Sequence, residues 1–229
     1  MIFGGFQKTD LINFPGKVAS TVFTRGCNFR CPYCHNPEFV IHGSDQTYFG
    51  ETYTEEEILE YLEKRSAFLD GLVISGGEPT LHSDLPAFIR KVRNLGLMVK
   101  LDTNGSRPDV LAELLEEGLL DYVAMDIKAP LEKYHILGFD GTEVIEESIK
   151  LLNSSNTDHE FRTTCARAII AEEDFRKMAD ILDPEAKWYL QPFNPAKTLD
   201  PAFTSETTWS ADELRAVVAS LGRKNTFVR

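Results

Sequence analysis

Three of the chain's four cysteines fall within eight residues, in the run Gly26-Cys27-Asn28-Phe29-Arg30-Cys31-Pro32-Tyr33-Cys34-His35-Asn36-Pro37. Nothing else in the sequence restricts the fold as strongly. Thiolates are soft ligands that suit iron–sulfur clusters and zinc. Positions 27, 31 and 34 would also share one face of a helix, where cysteine serves as a small hydrophobe. Pro32 would sit inside that helix, and Gly26, Asn28 and Asn36-Pro37 are turn residues, so a ligand-bearing loop fits better. A disulfide leaves one of three clustered cysteines unpaired. Two metal readings stay open: a [4Fe–4S] cluster with one iron lacking a protein ligand, and a zinc ion with His35 or His42 as fourth ligand.

The C-x3-C-x2-C spacing, with aromatic Tyr33 before the third cysteine, resembles the cluster loop of radical S-adenosylmethionine enzymes. The longer run GCNFRCPYCHNP is similar to the glycyl-radical-activating branch, and especially to activators of anaerobic ribonucleoside-triphosphate reductase. The resemblance extends from about Gly5 to about Pro195. It implies that Cys27, Cys31 and Cys34 hold a [4Fe–4S] cluster, and that S-adenosylmethionine chelates the open iron. One electron from a flavodoxin- or ferredoxin-type reductant then cleaves the sulfonium. The resulting 5′-deoxyadenosyl radical takes hydrogen from a glycine of the partner, an anaerobic ribonucleotide reductase. The alternatives are a radical enzyme acting on a small molecule, such as a deazapurine-forming enzyme similar to 7-carboxy-7-deazaguanine synthase, or an activator of another glycyl radical enzyme.

Length and composition set the frame. At 229 residues the chain suits one domain, with a core over about 17–195, an extended lead-in before it and a C-terminal helix after it. Hydrophobic content of 42% and charged content of 26% match an ordinary globular chain. A net charge of −12 opposes a broad nucleic-acid or anionic-membrane surface. No apolar run approaches the roughly 18 residues of a membrane helix, and the N-terminus lacks the pattern of a signal peptide. The cytoplasm, which keeps thiols reduced, is the expected compartment.

Strand and helix patterns alternate after Lys17. Strands are expected at 17–24, 71–75, 97–101, 121–127, 160–168 and 187–191. Helices are expected at about 54–65, 84–94, 108–118, 142–153, 172–182 and 210–221. Thr54/Glu57 and Ser210/Glu213 have the spacing of capping boxes, and Ser83 is placed to cap the helix that follows it. Residues 1–16 read as extended lead-in and 38–53 as loop. Strands alternating with helices imply parallel βα units. Six units are too few for a closed eight-stranded barrel, and the resemblance implies an α/β fold of the open partial (βα)6 barrel type. In βα barrels functional groups gather at the C-terminal ends of the strands.

The remaining motifs fall at such ends. Gly76-Gly77-Glu78-Pro79 follows the second strand; paired glycines let backbone run close to a ligand. By resemblance this is the turn whose backbone and Glu78 bind the methionine amino group. Asp102-Thr103-Asn104 ends the third strand and Asp126-Ile127-Lys128 the fourth. Asp126 and Lys128 alternate to one face, which permits a plain salt bridge as readily as a ligand site. The resemblance gives Asn104 and Lys128 to the cofactor's ribose and carboxylate, and Asp102, Thr103, the Ala124 backbone and Asp126 to a monovalent cation. It gives Tyr33 to the adenine. Arg162 and Gln191, on the fifth and sixth strands, are candidates for the cofactor carboxylate and for adenine or ribose. Cys165 lies in an apolar strand and reads as core. His42, His82, His135 and His159 show no ligand spacing, whereas His35 can orient the cluster loop.

Overall fold

The computed structural model describes residues 1–40 and 50–229. His42, the alternative zinc ligand, lies outside the described residues. Strands β1 (Ile2–Asp10), β2 (Ala19–Thr24), β3 (Tyr53–Thr54), β4 (Gly71–Gly76), β5 (Met98–Thr103), β6 (Tyr122–Asp126), β7 (Asp158–Cys165), β8 (Trp188–Pro192) and β9 (Thr226–Val228) form one sheet. Their order is β3-β1-β2-β4-β5-β6-β7-β8-β9. All pairs from β2 through β9 are parallel. β1 pairs antiparallel with both β2 and β3. β3 and β9 lie at the two ends of that order and do not pair, so the sheet is an open partial barrel rather than a closed one.

Two edge elements differ from the sequence expectation. The lead-in is a nine-residue strand, with register shifts between Phe3 and Gly5 and between Gln7 and Asp10. Asp10 fixes its exit: it accepts from the Ile12 and Asn13 amides and from the Thr21 hydroxyl. β9 extends the parallel set beyond the expected six strands.

Helices connect successive parallel strands. They are α1 (Pro37–Val40), α2 (Glu55–Arg65), α3 (Leu85–Asn94), α4 (Pro108–Glu116), α5 (Thr142–Ser154), α6 (Asp174–Asp180) and α7 (Ala211–Leu221). The predicted capping boxes are present: Thr54 and Glu57 close on each other, as do Ser210 and Glu213. Ser83 does not cap α3; Asp84 occupies that position without a side-chain cap bond, and Pro86 in the first turn presets the backbone instead. α1 and β3 occupy part of the segment expected as loop.

The parallel strands are apolar because both of their faces are covered. Leu72, Val73, Ile74, Val99, Leu101, Val123 and Met125 are fully buried. Trp188 is buried too, and its indole N–H donates to Thr163 at 2.9 Å. Among the described residues no helix is long and apolar enough to cross a membrane.

Candidate functional site

The strands β2, β4, β5 and β6 end around a cavity of about 440 Å³, to whose lining β7 adds Arg162 and Thr164 and β8 adds Gln191. Cys27, Cys31, Tyr33, Cys34, Gly76, Gly77, Glu78, Asp102, Thr103, Asn104, Asp126, Lys128, Arg162 and Gln191 all line it. Of the expected site residues only Ala124 does not; it is fully buried on β6, opposite Asp102.

The cysteine loop leaves β2 at Thr24 and is tied down on several sides. The Gly26 amide donates to the Phe39 carbonyl at 2.5 Å, and the Arg30 amide to Leu137 at 2.6 Å. The Arg30 guanidinium reaches back to the Cys27 and Phe29 carbonyls. Phe29 packs against Tyr134 and Phe139. The Cys34 amide closes a turn onto Cys31, and the Pro32 carbonyl accepts from the Asp200 amide. Burial pushes the Cys27 thiol up to about 11 and the Cys31 thiol up to about 12. Apart from a bound metal, therefore, these sulfurs carry protons at neutral pH. The Phe29 amide points at the Cys27 sulfur at 3.3 Å, a donor that favours the thiolate when metal binds.

The Gly76-Gly77 turn runs directly against this loop. Gly77 donates to the Thr24 carbonyl at 2.9 Å and Glu78 to the Gly26 carbonyl at 2.6 Å. A Cβ at position 77 would lie 1.9 Å from the Gly26 oxygen, and Gly76 has φ of +121°. Only glycine permits this approach of two backbones.

Glu78 is 1% exposed and held by four donors. Its Oε1 accepts from the Thr80 amide and hydroxyl and from the Thr103 hydroxyl, and its Oε2 from the Asn104 amide at 2.7 Å. Burial raises its pKa and the hydrogen bonds offset that only in part, so a cation beside it would be favoured. Asn104 also links the two ligand segments, donating to Asn28 at 3.0 Å, while Asn28 donates to Ser106 at 2.9 Å.

Asp126 and Lys128 form the salt bridge weighed from sequence, at 3.1 Å. Arg162 is not on the surface: Nε meets Asp126 at 2.9 Å and Nη1 lies 3.4 Å from Asp102. Burial raises the Asp102 carboxyl, but Arg162 and Lys100 overcome that and hold it at about 2. Tyr33 has its ring buried and its hydroxyl 3.4 Å from the Lys128 carbonyl. Gln191 donates to Thr164 at 2.8 Å. Cys165 is buried away from the cavity lining, as expected.

Sequence reasoning passed over Asn28, Thr80, Ser75 and Lys100. Lys100 left a signal, a charge two residues before Asp102 in an otherwise apolar strand. Asn28 and Thr80 left none, because their partners are set by the approach of two loops.

No group of three or more His, Cys, Asp or Glu side chains among the described residues is placed to hold a metal ion. A zinc site would need three thiols and a histidine around one ion at about 2.0–2.3 Å. A [4Fe–4S] cluster asks each thiol for a different iron, and Cys27, Cys31 and Cys34 all line the one cavity. His35 hydrogen-bonds the Lys197 backbone, and burial lowers its pKa.

The comparisons agree with that chemistry. The model of the radical SAM superfamily matches residues 21–183. A Methanocaldococcus jannaschii protein assigned by name to the glycyl-radical enzyme activating enzymes is 33% identical over 221 residues, covering 93% of this chain and 89% of its own. The pyruvate formate-lyase-activating enzyme of Clostridium pasteurianum is 27% identical over 183 residues, covering 77% of this chain and 74% of its own. Among solved structures, QueE from Escherichia coli superposes with a TM-score of 0.58 at 14% identity, over 99% of this chain and 92% of that one. A domain of a pyruvate-formate lyase-activating enzyme from Bacteroides vulgatus gives 0.56 at 17% identity, over 69% of this chain and 98% of that one. These structural likenesses speak for the fold alone. With a [4Fe–4S] cluster and S-adenosylmethionine as the family's cofactors, the chain belongs to the radical SAM superfamily and, within it, to the glycyl-radical-enzyme activating enzymes.

Proposed function

We propose that the chain activates an anaerobic ribonucleoside-triphosphate reductase, with Cys27, Cys31 and Cys34 as the cluster ligands. The observation that carries the site reading is the meeting of three thiols and the buried Glu78 on one cavity, with Gly77 and Gly26 in backbone contact. The run GCNFRCPYCHNP supports the choice of reductase as partner. When bound, the cofactors supply one-electron cleavage of a carbon–sulfur bond and a 5′-deoxyadenosyl radical that takes hydrogen from a glycine of the partner.

The chain's own residues bind, orient and exclude water. Glu78, its pKa raised by burial, would receive the amino group of S-adenosylmethionine, whose positive charge favours the carboxylate form. The Gly76-Gly77 backbone would run beside that amino group. Lys128 and Arg162 are the cations available to the carboxylate, Asn104 the amide available to the ribose. Tyr33 and Gln191 would meet the adenine. No general base is required, because a hydrogen atom rather than a proton is moved. A flavodoxin- or ferredoxin-type protein supplies the electron.

The test is anaerobic incubation of the iron-reconstituted chain with S-adenosylmethionine, a reductant and the reductase. A glycyl EPR doublet on the reductase is expected, with 5′-deoxyadenosine released. Cys34→Ala should abolish both; unchanged release would remove Cys34 from the ligand set. Consumption of a small nucleoside analogue without a doublet would establish the small-molecule reading instead.

A further inference from the structure

Lys100 is 1% exposed in the middle of β5, in the run Leu97-Met98-Val99-Lys100-Leu101-Asp102. An ammonium is rarely buried unless it is paired. Residues 100 and 102 alternate to the same face of the strand. The Lys100 ammonium bonds Asp102 Oδ1 and lies 5.9 Å from the centre of the Tyr122 ring. Lys100 does not line the cavity, so it meets Asp102 from beneath the floor.

On the two carboxylates expected to hold a monovalent cation, every oxygen faces a cationic side chain of this chain. Asp102 Oδ1 has Lys100, and Oδ2 has the Ser75 hydroxyl at 3.0 Å and Arg162 at 3.4 Å. Asp126 Oδ1 has Arg162 at 2.9 Å and Oδ2 has Lys128 at 3.1 Å. Every oxygen of the pair already accepts from a donor. The charges balance as well: Glu78, Asp102 and Asp126 stand against Lys100, Lys128 and Arg162. Three cationic side chains thus supply the positive charge that a metal cation would bring to the pair.

We propose that Lys100 takes the place of a metal cation at the Asp102–Asp126 pair, as a tethered counter-ion that fixes Asp102 under the cofactor and makes the site independent of Na⁺ and K⁺. A tethered ammonium has an effective concentration that a weakly bound free ion does not match. Lys100 is thus a positioning residue, acting through Asp102 and Arg162. The inference rests on reading the cavity as the S-adenosylmethionine site, but its first test does not use that ligand.

The test compares the cluster-loaded wild type with Lys100→Met in tetramethylammonium, sodium and potassium chloride at equal ionic strength. The wild type should melt within about 1 °C in all three salts and leave the ²³Na NMR line unbroadened beyond a protein-free, charge-matched control. Lys100→Met should bind sodium, broaden that line, and gain about 5 °C or more on moving from tetramethylammonium to a small cation. Lys100→Gln should do the same if the methionine variant does not fold. In a second arm, S-adenosylmethionine affinity should fall about tenfold in Lys100→Met in tetramethylammonium and return to within about threefold on adding Na⁺ or K⁺. A wild type that needs or binds a small cation, or variants that fold and acquire no cation response, would overturn the proposal. Absence of S-adenosylmethionine binding by the wild type would instead overturn the reading of the cavity, with the melting and NMR arms still deciding the role of Lys100.

Discussion

At the scale of single residues, the tightest constraint is Gly77. Its missing side chain lets the turn after β4 donate into the carbonyls at the start of the cysteine loop. A methyl group there would collide with backbone, which has no rotamer to yield. Gly77→Ala should therefore lower stability by about 1–3 kcal/mol and push the two segments apart. The expected readouts are a lower melting temperature and fewer than four irons per chain after reconstitution. Full iron content at unchanged stability would show that the backbones separate without consequence. The motif GGEP was legible in sequence as a close-approach turn, but the object it approaches was not. Gly26 is fifty residues upstream, and only the parallel register of Thr24 opposite Gly76 brings the two together. Arg162 was harder still. A lone arginine in a strand carries no sign of whether it faces solvent or two carboxylates.

At the scale of elements, short apolar strands and capped helices were readable because each signal is local. The Thr54 and Ser210 caps formed as their spacing predicts. β1 was less readable, since IFGGFQKTD has two glycines and a polar half; pairing with β2 and β3 makes it a strand. β9 has three residues, too few to show a period. The start of α6 shows a pH dependence of local origin. Asp174 is buried at the first turn, where burial raises its pKa but Lys133 and the Ala171 amide more than offset this and hold it below the ordinary carboxylate value. A carboxyl lowered in the folded state stabilises fully above its unfolded value of about 3.9 and loses that contribution as pH falls through the folded value. Asp174→Asn should cost about 1–3 kcal/mol near neutral pH and progressively less as pH falls through the folded value, so its melting curve flattens against pH. A constant difference between variant and wild type at every pH would contradict the pairing.

At the scale of the whole molecule, the sheet ends in β9, and the last residue ties that edge to its interior. Arg229 donates with both terminal nitrogens to Glu160 at 2.9 and 3.0 Å, and Glu160 is 1% exposed. The Tyr122 hydroxyl also donates to that carboxylate, at 2.9 Å. Arg229→Met leaves a buried charge with a single neutral donor, and should cost about 1–3 kcal/mol. For a chain of this size that is a fall of several degrees in melting temperature. No change would mean that solvent reaches Glu160 once the guanidinium is gone.

The cysteine loop and the GGE turn do not merely neighbour each other; each completes the other's hydrogen bonding across Gly26 and Gly77. Two binding events that share one rigid junction are thermodynamically linked, and linkage is symmetric. Whatever tightening iron gives to the small-molecule ligand, that ligand returns to iron. A chain short of its substrate should thus shed metal sooner under a chelator, and scarcity of either would tend to disarm the protein as a whole rather than leave it half assembled.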